Sequence, residues 1–130
     1  MEIARLDHLV LTVRDVQATC AFYSRVLGMR VETFGAGRTA LHFGNQKLNV
    51  HPTGGDATLV ARVPTPGSAD LCFVTTMPRD ALLDHLQACG VAIEAGPVER
   101  AGAIGQMESV YFRDPDGNLV EVSRYLDQPA

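Results

Sequence analysis

A carboxylate in the middle of a strand-like segment is the first residue here whose type suits chemistry. Glu121 stands in Leu-Val-Glu-Val, directly after Asp-Pro-Asp-Gly-Asn. The proline and glycine of that sequence are typical of a tight turn, which predicts that residues 108–112 and 119–125 pair as an antiparallel hairpin. Because burying an unpaired carboxylate is costly, Glu121 either faces solvent or belongs to a binding site.

An internal repeat sets further polar residues at matching positions. Segment 7–13 aligns with segment 69–75, and Leu-Asn-Val around Asn49 aligns with Val-Glu-Val around Glu121. A half of this size would struggle to build a core alone. The sequence therefore predicts one domain over residues 1–130, made of two repeats that share a core, over about residues 4–55 and about 67–126.

Each repeat reads as a strand, a helix and several further strands. Asp15 and Thr76 stand where residues that cap the start of a helix are expected, and Gly28 and Gly90 suit the ends of the two helices. The predicted fold class is α+β, with two βαβββ repeats forming an incomplete curved sheet, or open barrel, and the helices outside it.

Strand alternation sorts the polar side chains by face. If the apolar faces of the strands pack under the helices, one group of polar residues points into whatever the curved sheet encloses. Histidine and carboxylate side chains that converge there are the ligand types that Zn²⁺, Fe²⁺, Mn²⁺ or Ni²⁺ accepts. The group consists of His8, Asn49, His51, Asp70 and Glu121.

These features together resemble the vicinal oxygen chelate superfamily, which includes glyoxalase I, fosfomycin-resistance thiol transferases, bleomycin-binding proteins and extradiol dioxygenases. The resemblance covers residues 4–126 and depends on the repeat and on three motifs. The motifs are Leu-Asp-His-Leu-Val-Leu-Thr-Val, Ala-Phe-Tyr-Ser-Arg-Val-Leu-Gly-Met and Phe-Arg-Asp-Pro-Asp-Gly-Asn-Leu-Val-Glu-Val. Phe-Gly-Asn-Gln-Lys-Leu-Asn-Val-His, Pro-Gly-Ser-Ala-Asp-Leu-Cys and Gly-Pro-Val-Glu-Arg resemble, more closely, the glyoxalase domain-containing protein five group.

The resemblance implies a divalent cation held by the first and last strands of each repeat. His8 and Glu121 match the family's ligands directly, whereas Asp70 replaces a usual histidine and Asn49 replaces the glutamate of glyoxalase I. His51, on the same face as Asn49, is the candidate for the missing ligand. The implied metal ligands are thus His8, His51, Asp70 and Glu121, with Asn49 contacting substrate and Glu121 also serving as the catalytic base.

Other roles are open for several of these residues. His8 also suits a satisfied core histidine, His51 a cavity-lining residue, and Asp70 a brace for the preceding loop. Cys72 suits an inert buried thiol better than a nucleophile, since nothing near it in sequence lowers its pKa. Residues 96–109 are predicted to be a polar, flexible loop over a pocket, in which Arg100 either meets a substrate carboxylate or phosphate or is simply solvated.

Composition limits the class of protein. With a net charge of −4 and 46% hydrophobic residues in 130, the chain fits a globular domain, and it has no basic stripe for nucleic acid. No apolar stretch is long enough to span a bilayer and no signal peptide is recognisable, which predicts a cytoplasmic protein without membrane contact. The resemblance, with the frequency of symmetric pairs among oligomers, predicts a homodimer.

Three functions follow from this reading. The first is a metal-dependent lyase, isomerase or transferase of the glyoxalase kind, in which the cation binds two adjacent oxygens of a small substrate. The second is an Fe²⁺ ring-cleaving dioxygenase, whose two histidines and one carboxylate would be His8, His51 and Glu121. The third is a metal-free module of the bleomycin-resistance kind, which binds a drug or metabolite in its pocket.

Overall fold

Residues 1–126 are described by the computed structural model, and they form two compact units with the same order of elements. The first unit is Met1–Ser68 and the second begins at Ala69. Neither helix within residues 1–126 has the length and apolar character needed to cross a bilayer. The elements of the first unit are β1 (His8–Val13), α1 (Val16–Leu27), β2 (Arg30–Phe34), β3 (Arg38–Phe43) and β4 (Gln46–Pro52). Those of the second are β5 (Asp70–Val74), α2 (Arg79–Ala88), β6 (Ala95–Ala101), β7 (Gln106–Arg113) and β8 (Leu119–Tyr125).

Each unit has its own four-stranded mixed sheet. The strand orders are β1-β4-β3-β2 and β5-β8-β7-β6. The first strand of each unit is parallel to the last, and the remaining neighbours are antiparallel. The α+β class, the βαβββ repeat and the predicted hairpin of β7 with β8 are confirmed. The single domain over residues 1–130 stays a prediction, and its last four residues lie outside the described part of the chain.

Helix α1 begins and ends where the sequence predicts. The Asp15 side chain accepts a hydrogen bond from the backbone N–H of Ala18 at 3.0 Å, which satisfies one of the free donors of the first turn. Gly28 ends the helix with φ of 67°, a conformation that glycine adopts without steric cost. Tyr23 and Val26 are buried on the face between these ends, so α1 covers the apolar side of the first sheet.

Helix α2 begins later than predicted, and the cap assigned to Thr76 is wrong. The helix starts at Arg79, and Pro78 occupies the capping position without any side-chain hydrogen bond. Thr76 lies two residues before that position, too early for its hydroxyl to serve as the cap. Thr75 instead accepts a hydrogen bond from the backbone N–H of Met77 at 3.1 Å, which organises the turn before the proline.

The predicted flexible loop over residues 96–109 is also wrong. Most of it is strand: β6 runs to Ala101 and β7 starts at Gln106, with a short turn between them. Gly96 and Pro97 suggested a loop, but β6 is the edge strand of its sheet, where proline is tolerated and the pairing register shifts between Ala95 and Val98. Arg100 consequently lies on a strand.

An ion-pair cluster joins the start of α2 to the second sheet. The guanidinium of Arg79 binds the Glu108 carboxylate through two nitrogens, one of them Nε at 2.8 Å. Arg124 Nη2 lies 3.3 Å from the same carboxylate. The Glu108 side chain is only 10% exposed, and these bonds, the Arg79 bond first, lower the pKa of its carboxyl group. Glu108 therefore contributes stability while it is ionised.

We expect Glu108→Gln to lower the free energy of unfolding by about 2 kcal/mol at pH 7, the typical worth of hydrogen bonds to charged groups. The folded-state pKa of Glu108 lies below its ordinary value of about 4.3. The parent's stabilisation is therefore present above that value and is lost as the pH falls through it, whereas the variant lacks that slope. Urea denaturation at pH 7, 5 and 3.5 measures both.

The control variant is Glu94→Gln. Glu94 also pairs with an arginine, Arg113, at 2.8 Å, but both side chains are about half exposed, with values of 53% and 49%. Exposed ion pairs contribute little. Equal losses in the two variants would contradict the anchoring role of Glu108.

Candidate functional site

Strand register places the predicted residues of the first unit on one face of its sheet. In the parallel pair of β1 and β4, His8 is opposite Lys47, Val10 is opposite Asn49 and Thr12 is opposite His51. Most of the intervening residues of both strands are buried, namely Leu11, Val13, Leu48 and Val50. His8, Asn49 and His51 therefore share the face that does not pack against α1.

Asp7 orients the ring of His8. Its Oδ2 lies 2.8 Å from His8 Nδ1, and this hydrogen bond is the main cause of the lowered pKa of the Asp7 carboxyl group. A carboxylate that holds one ring nitrogen of a histidine fixes the tautomer and leaves the lone pair of the other nitrogen, Nε2, for a cation. The side chains of Asp7 and His8 are 70% and 44% exposed, so the bond orients a solvent-accessible ring and leaves Nε2 without this partner.

Two buried polar atoms on β4 lack hydrogen-bond partners. Within residues 1–126, Asn49 Oδ1 and His51 Nδ1 are shielded from solvent and have none. Buried polar atoms are normally paired, so each of these atoms needs an explanation. An amide oxygen and an imidazole nitrogen are donors that a divalent cation or a polar ligand accepts. These two atoms are therefore suited to contact a bound cation or a polar ligand.

In the second unit, Asp70 and Glu121 share a face of neighbouring parallel strands. Asp70 is opposite Leu119, and Cys72 is opposite Glu121. Asp70 is exposed. The loop before β5 is braced instead by Asn118, whose Oδ1 accepts a hydrogen bond from the backbone N–H of Ala69 at 2.8 Å.

Glu121 lies in a hydrogen-bonded network with buried serines. Ser123 Oγ donates to Glu121 Oε2 at 3.2 Å. Ser123 Oγ also lies 2.6 Å from Ser109 Oγ and 3.3 Å from Cys72 Sγ. Both serines are fully buried. The carboxylate of Glu121 is thus half-buried and hydrogen-bonded rather than freely solvated.

The burial predicted for Cys72 is wrong, because the residue is exposed. Although the residue is exposed overall, desolvation of its thiol is the largest cause of a raised pKa, and the nearby Glu121 carboxylate raises it further. A raised pKa keeps the thiol protonated near neutral pH, and the thiolate is the nucleophilic form. The structure therefore favours a hydrogen-bonding role for Cys72.

Arg100 reaches the same face of the second sheet from the edge strand. Its Nε donates to Tyr111 Oη at 3.1 Å, and its guanidinium carbon lies 5.6 Å from the centre of the Tyr111 ring. Tyr111 is opposite Glu121 in the register of β7 and β8. Desolvation, followed by Glu121, raises the pKa of the Tyr111 hydroxyl, which therefore stays protonated at neutral pH. Tyr111 holds Arg100 beside Glu121, although Arg100 remains exposed.

The first unit also contains a cavity of about 960 Å³. Ligand pockets in proteins are commonly of about 300–1,000 Å³, so the volume suffices for a small organic molecule. Its wall comes from α1, from all four strands and from residues 54–58, and it mixes apolar with hydrogen-bonding side chains. The polar residues of the wall include Thr12, Gln17, Arg38, His51 and Asp56.

Within each unit, then, the structure brings some predicted residues onto one face. His8, Asn49 and His51 share a face in the first unit, and Asp70, Arg100 and Glu121 share one in the second. Among residues 1–126, no three His, Cys, Asp or Glu side chains within a unit form a group that could hold a metal ion. Asp7, Ser123 and Tyr111 also contact the predicted site residues but were not predicted from the sequence. Only Asp7 had a usable signal, as the carboxylate next to a candidate ligand.

This combination of fold and polar strand faces corresponds to a known family of proteins. The sequence profile of the Glyoxalase/Bleomycin resistance protein/Dioxygenase superfamily matches residues 5–122. The chain belongs to this superfamily.

Particular relatives extend the comparison. Virulence protein STM3117 of Salmonella typhimurium is 50% identical over 126 residues, which cover 97% of this chain and 88% of the relative. The structure of integron cassette protein VCH_CASS1 of V. cholerae is 53% identical with a TM-score of 0.94, covering 96% of this chain and 98% of that one. Lactoylglutathione lyase from Agrobacterium tumefaciens is 25% identical with a TM-score of 0.73, covering 95% of both chains.

Proposed function

We propose that this protein is a metal-dependent lyase, isomerase or transferase of the glyoxalase kind. Its substrate would be a small molecule that binds a divalent cation through two adjacent oxygens. The proposed ligands are His8, His51, Asp70 and Glu121, and the cation is Zn²⁺, Ni²⁺, Mn²⁺ or Fe²⁺. The likeness to a lactoylglutathione lyase supports the reaction class. Membership of the glyoxalase domain-containing protein five group and a cytoplasmic location are part of the same proposal.

The observation that carries the proposal is the pair of buried, unpartnered atoms on β4. Asn49 Oδ1 and His51 Nδ1 lie on the face that also presents His8. A bound cation, or a substrate that such a cation holds, would supply the missing partners of these atoms. The hydrogen bond to Asp7 uses Nδ1 of His8 and leaves Nε2 available for a cation. This arrangement supports the same proposal.

The chain's own residues would divide the chemistry among them. A bound cation would act as a Lewis acid towards two adjacent substrate oxygens. Glu121, half-buried and hydrogen-bonded, suits the role of the base that moves a proton. Arg100, held by Tyr111, suits a substrate carboxylate or phosphate, and Asn49 suits a substrate hydroxyl.

Two alternatives have an observation of their own. Two histidines and one carboxylate, namely His8, His51 and Glu121, fit the ligand set of an Fe²⁺ ring-cleaving dioxygenase. The cavity of about 960 Å³ in the first unit fits a metal-free module that binds a drug or metabolite. Oxygen uptake with catechols distinguishes the dioxygenase from the proposed lyase, isomerase or transferase. Metal content distinguishes the metal-free module from both.

We also propose that the protein is a homodimer. Large apolar side chains are exposed in the described part of the chain, among them Ile3, Leu59, Val63 and Ile104. Symmetric pairs are the commonest oligomers, and a second copy is the partner proposed here.

One set of measurements on the purified protein tests these proposals. We expect sedimentation at micromolar concentration to show twice the 14.0 kDa chain mass. We expect calorimetry to show binding of a divalent cation, and the cation-loaded protein to convert adducts of 2-oxoaldehydes with thiols without consuming oxygen. A parent protein that binds no cation at millimolar concentration would overturn the metal-dependent function and favour the binding module.

A further inference from the structure

Ser123 is a buried polar residue that the proposed reaction does not use. It lies two residues after Glu121 on β8, on the same face of the strand, and is fully buried. Its hydroxyl oxygen is within hydrogen-bond distance of three groups: Glu121 Oε2 at 3.2 Å, Ser109 Oγ at 2.6 Å and Cys72 Sγ at 3.3 Å. A side chain that only filled space in the core would not need these hydrogen bonds.

The number of available protons fixes the direction of two bonds in this network, from Ser123 to Glu121 and from Ser109 to Ser123. A serine hydroxyl has one proton to donate and two lone pairs that accept, and an ionised carboxylate only accepts. Ser123 therefore donates its single proton to Glu121. The hydroxyl of Ser109 must then donate to Ser123, whereas the single proton of the Cys72 thiol has two acceptors within reach, Ser123 and Glu121. The proton of Ser123 is directed at Glu121, and one of its lone pairs accepts the bond from Ser109.

We infer that Ser123 is a positioning residue, which holds the Glu121 carboxylate in the rotamer that it needs for a cation or for proton transfer. Ser109 and Cys72 hold Ser123 in turn, each from a neighbouring strand paired with β8. The inference rests on the proposed function of Glu121. It assigns a supporting role to Ser123, Ser109 and Cys72, none of which is proposed to bind the cation.

The burial of both serines supports this role. A buried hydroxyl costs free energy unless its hydrogen bonds are made, and even then the net gain is small. The two serines, Ser109 and Ser123, are fully buried, whereas Glu121 is half-buried. Groups behind a ligand that fix its orientation commonly change metal affinity about 10–100-fold when they are removed.

The test uses the parent protein and three single variants, titrated with Co²⁺ alone. Ser123→Ala removes the bond to Glu121, and we expect Co²⁺ affinity to fall about tenfold or more with a changed visible absorption spectrum. Ser123→Thr keeps the hydroxyl, and we expect affinity within about threefold of the parent, by the same reasoning. Ser109→Ala leaves the Ser123–Glu121 bond in place, so we expect a smaller loss than in Ser123→Ala. Circular dichroism and urea denaturation confirm that each variant is folded.

The outcomes separate the inference from the proposed function. If the parent binds no Co²⁺ at millimolar concentration, the proposed function fails and the positioning role fails with it. If the parent binds Co²⁺ and folded Ser123→Ala matches it in affinity and spectrum, the positioning role alone is overturned. A loss in Ser109→Ala as large as in Ser123→Ala, or a folded Ser123→Thr that binds no better than Ser123→Ala, would also overturn it.

Discussion

Replacing Glu121 with glutamine should weaken the affinity for a divalent cation at least tenfold and leave the fold intact. Glutamine keeps the shape of the side chain and an oxygen that accepts the bond from Ser123, so only the negative charge is lost. Groups behind a ligand already cost about tenfold or more when they are removed, and a direct ligand should cost no less. Calorimetric titration with Mn²⁺ or Zn²⁺ measures the affinity. His8→Ala should give a loss of at least the same size.

Two variants control for changes remote from the site. Glu99→Gln removes the same charge from an exposed position on β6 and should bind the cation as the parent does. His85→Ala removes a histidine on α2, whose imidazole lies 3.7 Å from the Cys89 thiol, and should also have no effect. If Glu121→Gln and His8→Ala bind the cation as tightly as these controls, the metal site is elsewhere or absent.

Gly96→Ala should be the most destabilising of the single substitutions considered, lowering the free energy of unfolding by about 3 kcal/mol. Two costs add: overpacking of about 1–3 kcal/mol, and roughly 1 kcal/mol for an L residue in a left-handed conformation. Gly96 has φ of 97°, and a Cβ at this position would overlap the backbone carbonyl oxygen of Ser109. Backbone on β7 would have to move. Urea denaturation at pH 7 measures the loss.

Gly90→Ala separates the two costs. Gly90 has φ of 72° and a Cβ there would meet nothing within 4 Å. This variant should lose only the conformational part, about 1 kcal/mol. Equal losses in the two variants would show that the contact between β6 and β7 at Gly96 is less close than the structure indicates.

Local sequence signals predicted the elements with strong capping and turn residues. Asp15 and Gly28 set the ends of α1 as predicted. The turn before β8 also formed as predicted, and Asp114 stabilises it by accepting hydrogen bonds from the backbone N–H groups of Asp116 at 2.9 Å and Asn118 at 3.0 Å. These signals act within a few residues, so a single sequence contains them in full.

The errors arose where tertiary context outweighs local preference. Gly96 and Pro97 favour a loop in isolation, yet pairing with β7 makes that segment an edge strand. Ser123 had no signal at all, because a serine in a strand is ordinary until its neighbours are known. Its role depends on Ser109 and Cys72, which reach it only through strand pairing. The alternation of faces was predictable, whereas the hydrogen bonds among the side chains were not.

The parallel pairing of the first strand with the last has a consequence for synthesis on the ribosome. Residue 8 pairs with residue 47, and residue 70 pairs with residue 119, so β1 and β5 each leave the exit tunnel before their partner strands do. The antiparallel strands β2, β3 and β4 have partners nearby in sequence and can pair earlier. Bringing the first and last strands of a unit together lowers the chain entropy of the long segment between them before stabilising contacts form. The opening strand of each unit should therefore join its sheet last. Until then β1 exposes an apolar face that a chaperone can bind.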